Sequence, residues 1–160
     1  MPIEIERKFL VKNDLWRTEV ESSATLKQGY LARGRSSVVR VRIADQRATL
    51  TIKGDRHGIS CAEFEYEIPL ADAEEMLVRL CHEHVIDKVR HQVRHGGHVW
   101  DLDVFHGANA PLVIAEIELT SEHEPFVMPP WAGPEVSHDR RYANAWLVEN
   151  PYSRWHPETL

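Results

Sequence analysis

Hydrophobic and polar residues alternate with a period of two through much of this chain, and the polar half of each alternation is charged. IEIERKFLV (3–11) sets Ile3, Ile5, Phe9 and Val11 against Glu4, Glu6 and Lys8. VVRVRI (38–43) sets Val39, Val41 and Ile43 against Arg40 and Arg42, and ATLTIK (48–53) sets Leu50 and Ile52 against Thr49, Thr51 and Lys53. AEFEYEI (62–68) carries Glu63, Glu65 and Glu67 opposite Phe64, Tyr66 and Ile68. VIDKVRH (85–91) carries Lys88 and Arg90 opposite Val89, VWDLDVF (99–105) Asp101 and Asp103 opposite Leu102 and Val104, and IAEIEL (114–119) Glu116 and Glu118 opposite Ala115, Ile117 and Leu119. With TLKQGYLA (25–32), the pattern predicts eight strands.

Turn-forming stretches separate them: ARGRSS, ADQRA, KGDRHG, HGGH and HGANAP. A helical stripe is confined to LADAEEMLVRLCHEH (70–84), where Ala73, Met76, Leu77, Leu80 and Cys81 share one face. Residues 13–21 and the RRYANAWLVE stretch predict two further short helices, and SEHEPFVMPPWAGPE reads as a Pro-rich connection. One domain is expected over residues 1–150, followed by a loose tail over 151–160.

An antiparallel sheet with one wet face also alternates, but such a face mixes small polar residues with single charges. Here the charges come in blocks of one sign. Like charges at i and i+2 lie about 6–7 Å apart along a strand, so each block needs opposite charge from a neighbouring strand or a bound ion. Closing eight strands into a barrel with the charged faces inward brings the blocks together and leaves the apolar faces outside for helices to cover. The cations Lys8, Arg40, Arg42, Lys53, Lys88 and Arg90 then suit phosphate oxygens, and the carboxylates suit a hard divalent cation such as Mg2+ or Mn2+. Together they describe a site for a metal-bridged polyphosphate.

Composition narrows the partners. A net charge of −6 disfavours general nucleic-acid binding, and no apolar run is long enough to span a membrane. Two cysteines, Cys61 and Cys81, give no disulfide framework, and with a strand starting at residue 3 and no signal peptide, a cytoplasmic location is expected. His82, His84, His91, His95 and His98 lack helical ligand spacing and read as scattered surface imidazoles. Trp16, Trp146 and Trp155 read as packing residues, and Glu67 as a solvated rim residue.

EIERKFLV resembles the ExExK signature of the CYTH family, the triphosphate tunnel metalloenzymes. KQGYL, Arg40-x-Arg42, LTIKG, EFEYEI, Lys88-x-Arg90, DLDVF, EIEL and DRRYANAWL follow in the family's order. The resemblance implies a mainly β (α+β) fold: an eight-stranded antiparallel barrel with a charged lumen, a tunnel or an open cup, and a few helices outside. It further implies that Glu4, Glu6, Asp103, Glu116 and Glu118 hold metal. Lys8, Arg40, Arg42, Lys53, Lys88 and Arg90 would bind the triphosphate, with Arg141 in the terminal RY motif beside them. Lys8, Glu63, Glu65 and Tyr30 are the candidate catalytic residues. Two departures stand out. Cys61 occupies a position where relatives carry Arg, which implies a missing phosphate contact. The chain after Tyr142 is also too short for a long closing helix, which implies an open-ended cup.

The family hosts inorganic tripolyphosphate hydrolysis, adenylate cyclisation (class IV) and thiamine triphosphate hydrolysis. With no aromatic cluster on the charged faces to hold an organic group, the sequence favours metal-dependent hydrolysis of tripolyphosphate to pyrophosphate and phosphate. The alternatives are the other two activities and, outside enzymes, a polyphosphate-binding module. The partner expected is a small-molecule polyphosphate or organic triphosphate, with neither nucleic acid nor membrane, and the sequence allows a homodimer.

Overall fold

Every alternating segment forms a strand in the computed structural model of the chain, which describes residues 3–82 and 84–155. In chain order these are β1 (Ile3–Val11), β2 (Val20–Arg33), β3 (Ser37–Ala44), β4 (Arg47–Gly54), β5 (Ser60–Ile68), β6 (Val85–His95), β7 (His98–Phe105) and β8 (Val113–Glu118). They hydrogen-bond antiparallel in the order β5-β4-β3-β2-β6-β7-β8-β1, and β1 closes the ring by pairing Ile3, Glu4 and Ile5 with Ala62, Cys61 and Ser60 of β5. The result is a closed eight-stranded barrel.

A ninth strand, β9 (Ala132–Glu135), was hidden in the Pro-rich connection and pairs with β1 at Phe9 and Val11. Since β8 holds residues 6–10 on one edge of β1, β9 must take the other edge, the one that β5 uses at residues 3–5. The hand-over falls between Glu6, whose N–H bonds Ile59 O, and Lys8, whose carbonyl accepts from Val136 N–H.

Two apolar clusters clothe the outside of the barrel. Phe9, Val93, Trp100, Leu102, Ala115 and Ile117 pack under Trp16 and Trp131. Trp16 is driven there by a short 3-10 turn, Leu15–Glu19, where a longer helix over 13–21 was predicted. On another side, α1 (Leu70–Arg79) lays Ala73 and Leu77 on Val41 and Ala48. It stops short of the predicted 84. Leu80 and Cys81 both send their N–H to Met76 O, and His82 has φ +50°, outside helical geometry. Leu80 is therefore exposed, while Cys81 is buried against β2. Gly29 makes that approach feasible, because a Cβ there would lie 2.7 Å from Cys81 Sγ.

The third cluster is on the inward side. Tyr30, Ile86, Phe105 and Ile114 share their strand faces with charged residues and meet Val136, Tyr142, Leu147 and Val148 of the C-terminal segment. That segment contains a 3-10 turn (Arg140–Tyr142) and α2 (Asn144–Leu147). Short as it is, it packs into the barrel's inward face. The first part of the tail packs as well: Trp155 sets its ring edge-on to Tyr142 and Trp146, at 5.2 and 6.0 Å between centroids. Residues 156–160 lie outside the described residues. Among the described residues no helix is long and apolar enough to cross a membrane.

Candidate active site

The alternation of eight strands concentrates charge in one cavity of about 900 Å3. Its wall includes Glu4, Glu6, Lys8, Tyr30, Arg40, Arg42, Lys53, Glu63, Glu65, Arg90, Glu116 and Glu118. Register explains the grouping. Lys53 lies opposite Glu63 across β4 and β5, Lys8 opposite Glu116 and Glu6 opposite Glu118 across β1 and β8.

The carboxylates gather around β1. Lys53 Nζ lies 2.9 Å from Glu4 Oε1 and 3.4 Å from Glu63 Oε2, and Lys8 Nζ 3.9 Å from Glu116 Oε1. Burial works against the charge on Glu4, but Lys53 overrides it and keeps the carboxyl below its ordinary range. Glu6 meets a looser cation, Arg56, whose Nη2 lies 3.5 Å from its Oε1. Burial, then Glu116 and Glu4 beside it, push the Glu6 pKa up to about 8. Among the described residues no three of these groups converge as a ready-made metal cage. The donor set nonetheless fits a divalent cation, being all carboxylate oxygen and short of positive charge at Glu6.

The opposite wall has the reverse shortage. Arg40 is 7% exposed and donates through Nη2 to Thr51 Oγ1 at 3.1 Å, but among the described residues its buried Nε has no hydrogen-bond partner. Arg42 donates to Gln28 Oε1 at 2.7 Å, and the Nε2 of that fully buried glutamine also finds no partner among the described residues. Burial, with Arg40 and Arg90 nearby, lowers the Arg42 pKa to about 9. The crowded cations Arg40, Arg42 and Arg90 line one cavity and suit an anion.

Three sequence-predicted residues do not line the cavity. Lys88 and Asp103 are buried in the wall, with Lys88 Nζ 2.7 Å from Asp103 Oδ2 and 3.2 Å from Asn144 Oδ1. Arg90 takes both oxygens of the same carboxylate, so Asp103 is saturated by cations. Arg141 turns away onto Asp139, 2.6 Å between Nη2 and Oδ2, while its neighbour Arg140 faces the cavity. Conversely, the cavity recruits Arg33, Arg56, His138, Asn144 and Trp146, which carry no period-two signal because they sit on loops, a strand end or α2. The histidines of β6 and β7 have separate outer partners: His91 with Ser23, His95 with Glu19 and His98 with Glu124.

Over residues 2–143 the chain matches the CYTH domain family model. It belongs to the CYTH family. Among its CYTH relatives, an inorganic triphosphatase of Acetivibrio thermocellus is 43% identical over 152 residues, covering 95% of this chain and 97% of that protein. One from Nitrosomonas europaea is 35% identical over 149 residues, covering 91% and 96%. A solved structure of an inorganic triphosphatase superposes with a TM-score of 0.67 at 34% identity, covering 92% of this chain and 95% of that one. A Pyrococcus horikoshii protein of solved structure, at TM-score 0.58 and 20% identity over 74% of this chain and 79% of its own, shares the fold. Within the matched region, Glu4, Glu6 and Lys8 of β1 project inward on successive pleats beside β5 and β8.

Proposed function

We propose that this protein hydrolyses inorganic triphosphate to pyrophosphate and phosphate with the help of a divalent metal, Mg2+ or Mn2+. The observation that carries the reading is the divided cavity: cations short of anions on one wall, carboxylates short of cations on the other. The two relatives named inorganic triphosphatase, matched over more than nine-tenths of this chain, support the choice of substrate.

Lys8, Arg40, Arg42, Lys53 and Arg90 bind the phosphate oxygens in this reading, and Glu4, Glu6, Glu116 and Glu118 hold metal. A metal there supplies positive charge that orients the triphosphate and offsets its negative charge. Asp103 acts from behind by fixing Arg90 and Lys88. Glu63, raised by burial and by the hydrogen bond it shares with Glu4, is suited to take a proton from the attacking water. The new P–O bond forms at the terminal phosphorus as the bridging P–O bond opposite breaks, and Arg and Lys stabilise the departing pyrophosphate. Tyr30 and Glu65 line the same cavity; Glu65 accepts from Thr51 at 3.0 Å, which ties it to Arg40. The two free cysteines fit a reducing, cytoplasmic setting.

A second reading, an organic triphosphate such as a nucleotide, is favoured by one residue. Trp146 lines the cavity and is 37% exposed, an aromatic face the strand pattern could not reveal. The deciding experiment offers purified protein with Mg2+ or Mn2+ tripolyphosphate, ATP and thiamine triphosphate, and measures phosphate and cyclic AMP. Fastest phosphate release from tripolyphosphate is expected. Preference for ATP that is lost in Trp146→Ala would establish the second reading, and no turnover of any of them would leave a binding module.

A further inference from the structure

The cation at the acidic mouth of the cavity comes from a loop. β4 and β5 part after the Lys53–Glu63 pair. The loop between them turns tightly, His57 N–H to Ser60 O at 2.7 Å and Ser60 N–H to His57 O at 3.1 Å, with Gly58 at φ +62°. Arg56 precedes this turn and lays its guanidinium back over the lumen. Nη1 donates to Ile59 O at 3.1 Å, which ties the head to its own loop. Nη2 lies 3.5 Å from Oε1 of both Glu4 and Glu6. The wall beneath it is Cys61, whose Sγ is 3.8 Å away and brings no positive charge.

These distances describe a cation that is positioned but not committed. At 3.5 Å the carboxylate contacts are longer than ordinary N–H···O bonds of about 2.7–3.2 Å, and the side chain keeps 36% of its surface exposed. A phosphate group entering beside Glu4 and Glu6 meets like charge, and Lys53 is already shared between Glu4 and Glu63. An anion there needs a second cation with free donors. A guanidinium fork matches phosphate geometry in two bonds, which the ammonium of Lys53 cannot do.

We propose that Arg56 is a further triphosphate-binding residue, reaching in from the β4–β5 loop to hold the end of the polyphosphate nearest Glu4 and Glu6. It supplies from the rim the charge that Cys61 does not supply from the wall. This rests on the triphosphate reading of the cavity, and it adds to that site a contact from outside the strand pattern.

The test is calorimetric titration of the full chain with tripolyphosphate in Ca2+, alongside turnover in Mg2+. Arg56→Ala should weaken binding roughly tenfold or more, as loss of a charge-assisted bond does, and raise KM more than it lowers kcat, with the ligand-free melting temperature unchanged. Arg56→Lys should fall between. Adding Cys61→Arg to Arg56→Ala should recover affinity, a rescue that a merely structural loop residue would not show; if that double variant fails to fold, the single-variant titrations decide. Affinity of Arg56→Ala within twofold of wild type, with wild type binding normally, overturns the proposal alone. Wild-type binding without hydrolysis overturns the hydrolase reading and leaves Arg56 to be judged by affinity. Absence of wild-type binding overturns both.

Discussion

Arg90 on β6 faces Asp103 on β7 and grips it with two hydrogen bonds, Nε to Oδ1 at 2.8 Å and Nη2 to Oδ2 at 2.9 Å. Lys88 adds a third cationic bond from below. A carboxylate so engaged is an anchor for bases, and the cavity's arrangement of positive charge depends on it. Asp103→Asn should cost about 3–5 kcal/mol, the usual penalty for stripping one partner from a buried ionic group, seen as a fall in melting temperature on the order of 10 °C. A loss of under two degrees would argue against the anchor.

That substitution also carries a pH signature. Burial alone would raise the Asp103 pKa, but Lys88 and Arg90 hold it well below 3.8. A depressed carboxylate stabilises the fold fully above its unfolded pKa and loses that contribution as pH falls toward the folded value. Below about pH 4 the melting-temperature gap between wild type and Asp103→Asn should therefore shrink as the pH falls. A gap that widens below pH 4 would contradict the assignment.

Arg40 tests the anion wall. Arg40→Ala should reduce kcat/KM for tripolyphosphate roughly 10–100-fold, as loss of charge-assisted bonds to phosphate does. Its ligand-free melting temperature should hold or rise, since Arg42 loses a repelling neighbour. Kinetics indistinguishable from wild type would remove Arg40 from the site.

Carboxylates test the other wall. Glu4→Gln, Glu6→Gln and Glu116→Gln keep shape but remove the charge that retains a divalent cation, so each should lower turnover by about two orders of magnitude or more. Excess EDTA should abolish wild-type turnover. Full activity in EDTA would end the metal-dependent reading.

The divided cavity predicts synergy in binding. Tripolyphosphate relieves only the bases and a divalent cation only the acids. The two together, with Ca2+ in place of Mg2+, should therefore raise the melting temperature beyond the sum of the separate shifts. At a hundredfold excess over Kd the stabilisation is about 2.7 kcal/mol, on the order of 5–10 °C for a domain of this size. Shifts of a degree that vanish in salt would mark loose surface binding instead.

Barrel and cavity wall were legible in the sequence because inward and outward positions alternate strictly, so each strand announced its own chemistry. Legibility ended where the period did. β9 has four residues, two of them Gly133 and Pro134, too few to show alternation. Arg56 and Trp146 reach the cavity through a turn and a short helix, which only tertiary structure brings to the lumen. Periodicity also could not tell depth along the barrel: Lys88 and Asp103 share a face with Arg90 and Asp101 yet are sunk in the wall. Nor could it show which of the adjacent Arg140 and Arg141 turns inward.

The barrel's closing seam sets an order of assembly. β1 precedes both of its barrel partners, β5 and β8, in the chain, so Lys8 must wait for Glu116 before their pairing can form. The hairpins β3–β4 and β6–β7 join neighbours in the chain and can form locally, whereas ring closure pays the entropy of a very long loop. Until β5 and then β8 follow, the strand bearing Glu4 and Glu6 lacks its partners. Its alternating charges give it solubility in that interval, since a lone edge carrying Glu and Lys resists adding to another chain. The same side chains that crowd the finished lumen thus guard the unfinished protein against aggregation.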